Sequence, residues 1–240
     1  MPIPTNKRVG MGNYSTQATT MFPVFGSAYM GSVRYYAALL AAGKGVIDTA
    51  QHIGKHSWKH NHCRILGANG AQPLAVPIEK CSSLDHKMTI SDLKISEHGD
   101  WRRIHWGAIF SAYGKTPFFE YIEDDLKQVY DRNDKWLLDF NMALHDVICE
   151  FLDLPVSFNI EKIGHSCDTS SITDLRESVG GKCHDDIAGI DDVPYYNTWS
   201  SRHGFIPDLS ILDLLMNNGR ESIFTPMKMT ENKNMFCFQQ

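Results

Sequence analysis

The chain has 240 residues, with 23 Lys and Arg against 28 Asp and Glu, a formal charge of -5 and a hydrophobic content of 42%. This is the composition of an ordinary globule, long enough to bury one substantial core. No Lys/Arg run offers a nucleic-acid footprint, and the longest apolar run, Tyr35 to Ala42, falls far short of the ~20 residues a membrane span needs.

Residues 1–20 are polar and aperiodic and read as a disordered lead-in without the apolar core of a signal peptide. The six Cys are scattered without a CxxC pair, which favours free thiols in a reducing compartment, so a cytoplasmic location is expected. Organisation begins at Met21-Phe-Pro-Val-Phe, a short strand-like entry. Ser27 to Ala42 reads as a helix, with Tyr29, Val33, Tyr36 and Leu40 on one stripe and Gly43 and Gly45 as its stop. Val46 to Ala50 follows as a buried strand. Asn61–Leu66 and Gln72–Ile78 form the arms of a hairpin, turned at Asn69-Gly70. Pro73 and Pro77 place its second arm at an edge. Ile90–Ser96 is a further strand candidate.

Three helices are expected next. In the first, Asp100 is the N-cap candidate, and Trp101, His105, Ala108, Ile109 and Ala112 share a face. Trp106, Phe110 and Tyr113 add a second apolar stripe, so this helix should be buried between layers. Pro117 opens the second helix, and the third runs from about Asp134 to Leu152 with the clearest amphipathic stripe in the chain. Val156–Ile160 reads as a strand, Thr173–Val179 as a short helix and Gly180–Pro194 as a loop. A helix starts at Pro207-Asp208 and stops at Asn218-Gly219, after which no pattern is visible. Strands come early and helices in blocks. The expected fold is therefore α+β, a single domain with a mixed or antiparallel sheet from the N-terminal half packed on central helices. The expected bounds are 21–225, followed by a tail over 226–240.

Chemistry-bearing residues fall into three groups. His52, His56, His60 and His62 with Cys63 supply imidazole and thiolate within a short stretch. Their spacing matches no zinc motif, so a solvated His-rich loop is favoured and no metal is expected. His145 and Cys149 lie one helical turn apart, and Cys63 near His52 or His105 is a second Cys–His possibility, but a buried inert thiol is the commoner case. Among acids, Glu79 ends the hairpin, Asp139 lies opposite an apolar helix face, and Asp213 sits inside a hydrophobic run. A buried acid there needs a partner and has a raised pKa, though a structural bond is the commoner outcome. P-loop, GxGxxG and GxSxG patterns are absent, so no nucleotide cofactor is expected.

The stretches MFPVFGSAYMGSVRYYAAL, Gln51-His52, Asn61-x-Cys63 with ILGANGAQPLAVPIEK, and ISEHGDWRRIHWGAIFSAYGKTPFFEYIEDDL together resemble the WbqC-like family of bacterial proteins. LLDFN, SITDLRESV, PYYNTW and HGFIPDLSILDLLMNNG extend the resemblance to about residues 21–222, most closely to the Bacteroidetes-type branch. His56, His60 and His62 look private to this sequence, and Arg220 stands where the resemblance leads one to expect proline. The resemblance implies surface-polysaccharide or O-antigen biosynthesis, with transfer of an acyl or aminoacyl group to an amino sugar or sugar nucleotide. On that reading His52 or His105 is the general base, with Glu79, Asp139 or Asp213 orienting it. Asn61, Lys80, Trp101, Tyr113, Asp139, Asn141, Arg176 and Asn217 would contact substrate. The partner is a small sugar or sugar nucleotide, not nucleic acid. The alternatives are a binding or scaffold protein of the same pathway and a Cys-dependent hydrolase.

Overall fold

The computed structural model describes residues 23–53, 60–79, 88–163, 173–176 and 190–231. Its sheet is built from β1 (Val24–Phe25), β2 (Lys44–Asp48) and β5 (Ser157–Glu161), all parallel, in the order β1-β2-β5. Residues 173–175 run parallel along the other side of β1: Val24 N–H donates to Thr173 O (3.0 Å) and Leu175 N–H to Val24 O (2.8 Å). Because every pairing is parallel, the carboxyl ends of all these segments meet at one edge. An antiparallel hairpin, β3 (His62–Gly67) and β4 (Gly70–Ala75), stands apart from this sheet. Its turn is Ala68-Asn69, and Gly70 takes the positive φ of 104° that closes it. The architecture is α+β, with parallel and antiparallel pairings in separate pieces.

Helix α1 (Val33–Ala42) starts six residues later than its apolar spacing suggests. Met30 adopts a left-handed conformation (φ 44°), and Ser32 caps the helix by accepting from Tyr35 N–H at 3.1 Å. The displaced residues 26–32 form a loop that turns Ser27 and Tyr29 inward, both fully buried. Helices α2 (Trp101–Tyr113) and α4 (Leu137–Leu152) follow the sequence pattern closely, whereas α3 (Glu123–Asp131) starts six residues after Pro117, behind a 3₁₀ turn over Phe119–Tyr121. Asp100 occupies the N-cap position of α2, but in a left-handed conformation, and its carboxylate pairs with Arg103 instead of capping. Trp101, His105, Ile109, Ala112 and Tyr113 are buried and Trp106 is half-buried against Phe119 and Tyr130, whereas Ile104 and Phe110 are exposed, so of the second stripe only Phe110 faces solvent.

Three segments depart from the sequence reading. Ile90–Asp92 is a 3₁₀ turn, because the Asp92 carboxylate accepts from both the Thr89 N–H (3.0 Å) and its hydroxyl (2.7 Å), a local bond that competes with extension. The residues flanking it pair through single bridges, Thr89 with His52 before it and Lys94 with Trp136 and Ile95 with Ile78 after it. Residues 173–175 are extended on β1 where a short helix is expected, and residues 177–179 of that expected helix lie outside the described residues. Helix α5 (Ser200–His203) is one short turn and α6 (Ile211–Asn218) is capped by Ser210. After it, a 3₁₀ turn over Gly219–Ile223 leads into α7 (Phe224–Thr230), a helix in a stretch without visible periodicity, which packs on α1. Seven consecutive residues of α6, Ile211–Asn217, are buried, so this helix is the centre of the core.

Close packing of the sheet requires a glycine at position 45. A Cβ there would lie 2.6 Å from Phe158 Cε1 and 2.7 Å from Phe25 Cδ2, two rings already in edge contact at 5.4 Å. Gly45→Ala is expected to cost about 1–3 kcal/mol through overpacking. Urea unfolding of the two proteins measures this, and equal stability would show that the rings have room.

Candidate functional site

The carboxyl edge of a parallel sheet is where open α/β arrangements bind ligands, and this edge is rich in buried polar groups. Asp48, the last residue of β2, is fully buried. Its Oδ1 accepts from the Ala50 N–H (2.9 Å) and the Ile163 N–H (3.0 Å), and its Oδ2 from Arg176 (2.9 Å). Arg176 also forks onto Asp174, with Nη2 to Oδ2 at 2.6 Å, and these two carboxylates, Asp174 first, hold its guanidinium still more firmly protonated. One ion-pair network thus joins the ends of β2, of β5 and of the 173–175 segment.

On this floor stand Gly26, Ser27, Gln51, His60 and Asn141. A Cβ on Gly26 would lie 3.1 Å from His60 Cε1, 3.5 Å from the Arg176 carbonyl oxygen and 3.6 Å from Gln51 Oε1, so these groups converge on the bare glycine. His60 Nδ1 lies 2.7 Å from the Ser27 carbonyl oxygen. A carbonyl only accepts, so Nδ1 carries a proton, and in the neutral form of the ring the lone pair is at Nε2. Asn141 donates its Nδ2 to Ser27 Oγ (2.9 Å) and to the His60 carbonyl (2.8 Å). The second acceptor fixes which end of the amide is nitrogen. Asn141 Oδ1 is then a buried acceptor without a donor among the described residues.

Beneath the shelf lies an aromatic cage around His105. Tyr29 Oη lies 2.9 Å from His105 Nδ1 and is also hydrogen-bonded to Tyr130 Oη. Trp101 meets the imidazole edge-on at 5.1 Å, and Phe140 stacks on Tyr29. Burial pushes the His105 pKa down to about 4, so the ring is neutral at pH 7. Trp101 Nε1 is buried there without an acceptor among the described residues. Cys63 borders the cage, and burial raises its thiol far above the ordinary range.

A second knot surrounds Asp213 on α6. Its carboxylate accepts from Tyr195 Oη (3.0 Å), Tyr113 Oη (3.2 Å) and Asn197 Nδ2 (3.2 Å). The Tyr113 hydroxyl in turn accepts from the Leu66 N–H at 3.1 Å, tying the hairpin to α2 and α6. Asn217 donates to the Asp213 carbonyl (2.7 Å) and accepts from both the N–H and the hydroxyl of Thr198. His105 and Tyr113 sit at opposite ends of α2, ~12 Å apart along its axis, so the cage and the knot are separate networks.

The other expected residues are spread over the surface. His52 and Glu79 are exposed, on the segments following β2 and β4, and Asp139 is exposed on α4. Half-buried Asn61 bonds the Val76 carbonyl (2.8 Å) and His62 (2.8 Å). Lys80 and His56 lie outside the described residues. Among the described residues no group of His, Cys, Asp and Glu is arranged to hold a metal ion. The His145–Cys149 pair is in contact at 3.4 Å, but burial holds the imidazole at about 4 and pushes the thiol up to about 12, so the proton stays on sulfur. Sequence reasoning passes over Ser27 and Asp48 and places His60 in a solvated His-rich loop, whereas His60 is buried. Asp48 at the end of an apolar strand was the one readable signal. His60 was obscured by three neighbouring His.

Burial raises the Asp213 pKa to about 6, a rise that its three donors only partly offset. The native state therefore holds this proton more tightly than the unfolded chain. The associated stability is complete below about pH 4 and is lost as pH rises through about 6. Relative to Asp213→Asn, the unmodified protein should lose about 3 kcal/mol between pH 4 and pH 7. Urea unfolding at a series of pH values yields the difference curve, and parallel curves would rule the effect out.

The chain is similar to an uncharacterized protein of Mycobacterium tuberculosis, Rv1507c, at 23% identity over 210 residues, covering 78% of this chain and 89% of that one. No solved structure matches it. Residues 27–183 match the model of the WbqC-like protein family, a span holding Ser27, Asp48, Gln51, His60, Asn141 and Arg176. With well over half its length matched, and all of the carboxyl-edge cluster but Gly26 inside the match, the chain belongs to the WbqC-like protein family.

Proposed function

We propose that the protein is a cytoplasmic enzyme of surface-polysaccharide biosynthesis, a single domain over 21–225, that transfers an acyl or aminoacyl group to an amino sugar or sugar nucleotide at the carboxyl edge of its sheet. The observation that carries this reading is Asn141 Oδ1, buried without a donor among the described residues, in the same hydrogen-bonded cluster as an imidazole that donates from Nδ1. An unsatisfied buried acceptor costs about 1–3 kcal/mol, which a ligand N–H or O–H would recover. An amino sugar carries such donors.

The roles follow from the geometry. The acceptor amine donates one N–H to Asn141 Oδ1, while its nitrogen attacks the donor's acyl carbon. His60 Nε2 takes the proton released as the C–N bond forms and passes it to the leaving group as the bond between the acyl carbon and that group breaks. Gly26 leaves room for close approach beside the imidazole. Arg176 positions the floor through its two carboxylates. His105 and Asp213 act from below, holding α2 and α6 against the hairpin. His52, Glu79 and Lys80 are the groups assigned to the sugar and to any phosphate that follows it. Trp101, Tyr113, Asn61, Asp139 and Asn217 serve as walls and supports.

The test is a thermal-shift screen of nucleoside-diphosphate amino sugars, followed by turnover with activated acyl donors. A ligand at 100 times its dissociation constant adds about 2.7 kcal/mol, or roughly 5–10 °C in a chain of this size. His60→Gln should leave that shift in place and lower turnover by about 100-fold or more. Absence of a shift with every amino sugar tried, or unchanged turnover in His60→Gln, would overturn the reading.

A further inference from the structure

A cavity of about 550 Å³ opens between α3, α4 and the end of α6, lined by Phe118, Tyr121, Asp125, Val147, Glu150 and Phe151 with Asn218, Arg220 and Glu221. None of these residues belongs to the carboxyl-edge cluster. Its volume is that of a small-molecule pocket.

The walls are fixed by identifiable contacts. Phe118 N–H donates to the Met216 carbonyl at 3.3 Å. The Phe118 ring lies directly over Gly219, which has a φ of 59°, and a Cβ at that position would strike the ring. The Phe118 and Tyr121 rings stand 6.3 Å apart at 42°, and Tyr121 is 65% exposed. Asn218 spends its amide hydrogens on the Tyr196 and Leu214 carbonyls. The cavity therefore presents two aromatic faces held at an angle, with apolar Val147 buried behind them.

The charges are one-sided. Asp125, Glu150 and Glu221 set three carboxylates against the single guanidinium of Arg220, a formal balance of -2. Among the described residues none of these four side chains forms a hydrogen bond or an ion pair with the protein. Aromatic faces attract cations, and the attraction grows where carboxylates stand at the same rim. A neutral apolar ligand would leave the carboxylates unused, and an anion would be repelled.

We propose that this cavity is a second binding site that takes an organic cation: an amine or guanidine on a flat apolar body, with the body between Phe118, Tyr121 and Phe151 and the charge facing Asp125, Glu150 and Glu221. The proposal is independent of the sugar reading, since the two sites share no residue.

Three probes of one shape and different charge test it on the full chain by calorimetry: tryptamine, indole and indole-3-acetate. Tryptamine should bind with a dissociation constant below about 1 mM, at least about tenfold tighter than indole, and indole-3-acetate should not bind. The double variant Glu150→Gln/Glu221→Gln changes two exposed side chains and should keep the thermal midpoint while weakening tryptamine about tenfold. Phe118→Leu should weaken tryptamine and indole alike. Equal binding of all three probes, no binding of tryptamine, or tryptamine binding untouched by the double variant would each overturn the proposal.

Discussion

The buried ion pair of Asp48 and Arg176 is the interaction on which the arrangement of this molecule rests. A carboxylate with no exposed surface is tolerated only when its charge and its lone pairs are matched. Asp48 achieves this with two backbone amides and one guanidinium, each from a different segment. The matched charge therefore works as a three-way tie. It fixes where β5 ends relative to β2, and it brings the 173–176 segment against the rim. Gly26, Gln51 and His60 come together because this floor does not slide. Removing one partner would strand the other in the interior, which is costlier than losing an exposed pair.

Helix α2 carries the second layer of organisation. Its inner face bears His105 near one end and Tyr113 near the other, and each is the anchor of a polar knot set in aromatic packing. Burial drives both toward the uncharged form: the imidazole is lowered to about 4 and the phenol raised well above its ordinary range. Neutral, directional hydrogen bonds in a close-packed core specify one arrangement without the desolvation cost of charges. That explains why a helix with a His and a Tyr on its inner face sits so deep. It also explains the exposed Ile104 and Phe110: the buried face already has its full set of partners, so these two side chains face solvent.

Local pattern exposed the elements whose stability is local. The α4 stripe from Leu137 to Leu152 and the hairpin with its positive-φ Gly70 were legible, with the turn itself one residue earlier at Ala68-Asn69, because helix periodicity and turn chemistry are written in adjacent residues. The start of α1 was not, since Tyr29 keeps the helical spacing while Met30 takes a left-handed backbone. Ile90–Asp92 alternates like a strand but is captured by the Asp92 carboxylate. Parallel pairing of β2 with β5 joins residues more than a hundred positions apart, and no local signal encodes it. The site divides in the same way. Asn141 and Arg176 entered through the family resemblance. Asp48 and His60 matter because of neighbours distant in sequence, and only the tertiary arrangement reveals those neighbours.

The molecule contains several His residues in different surroundings, and the difference is instructive. His145 lies against Tyr36, Phe158 and Cys149, and burial strips it of basicity. His105 is similarly caged. His60 is as buried as either, and among the described residues its neighbours include the Ser27 carbonyl, the Asn141 amide and Gly26. A carbonyl acceptor at Nδ1 orients the ring and strengthens the lone pair at Nε2, as a carboxylate or carbonyl does behind a catalytic or metal-bound imidazole. His105 likewise has hydrogen-bond partners, the Tyr29 hydroxyl and the Ala75 backbone, yet burial holds its pKa down to about 4. The surroundings, not the residue type, decide what each imidazole bonds to.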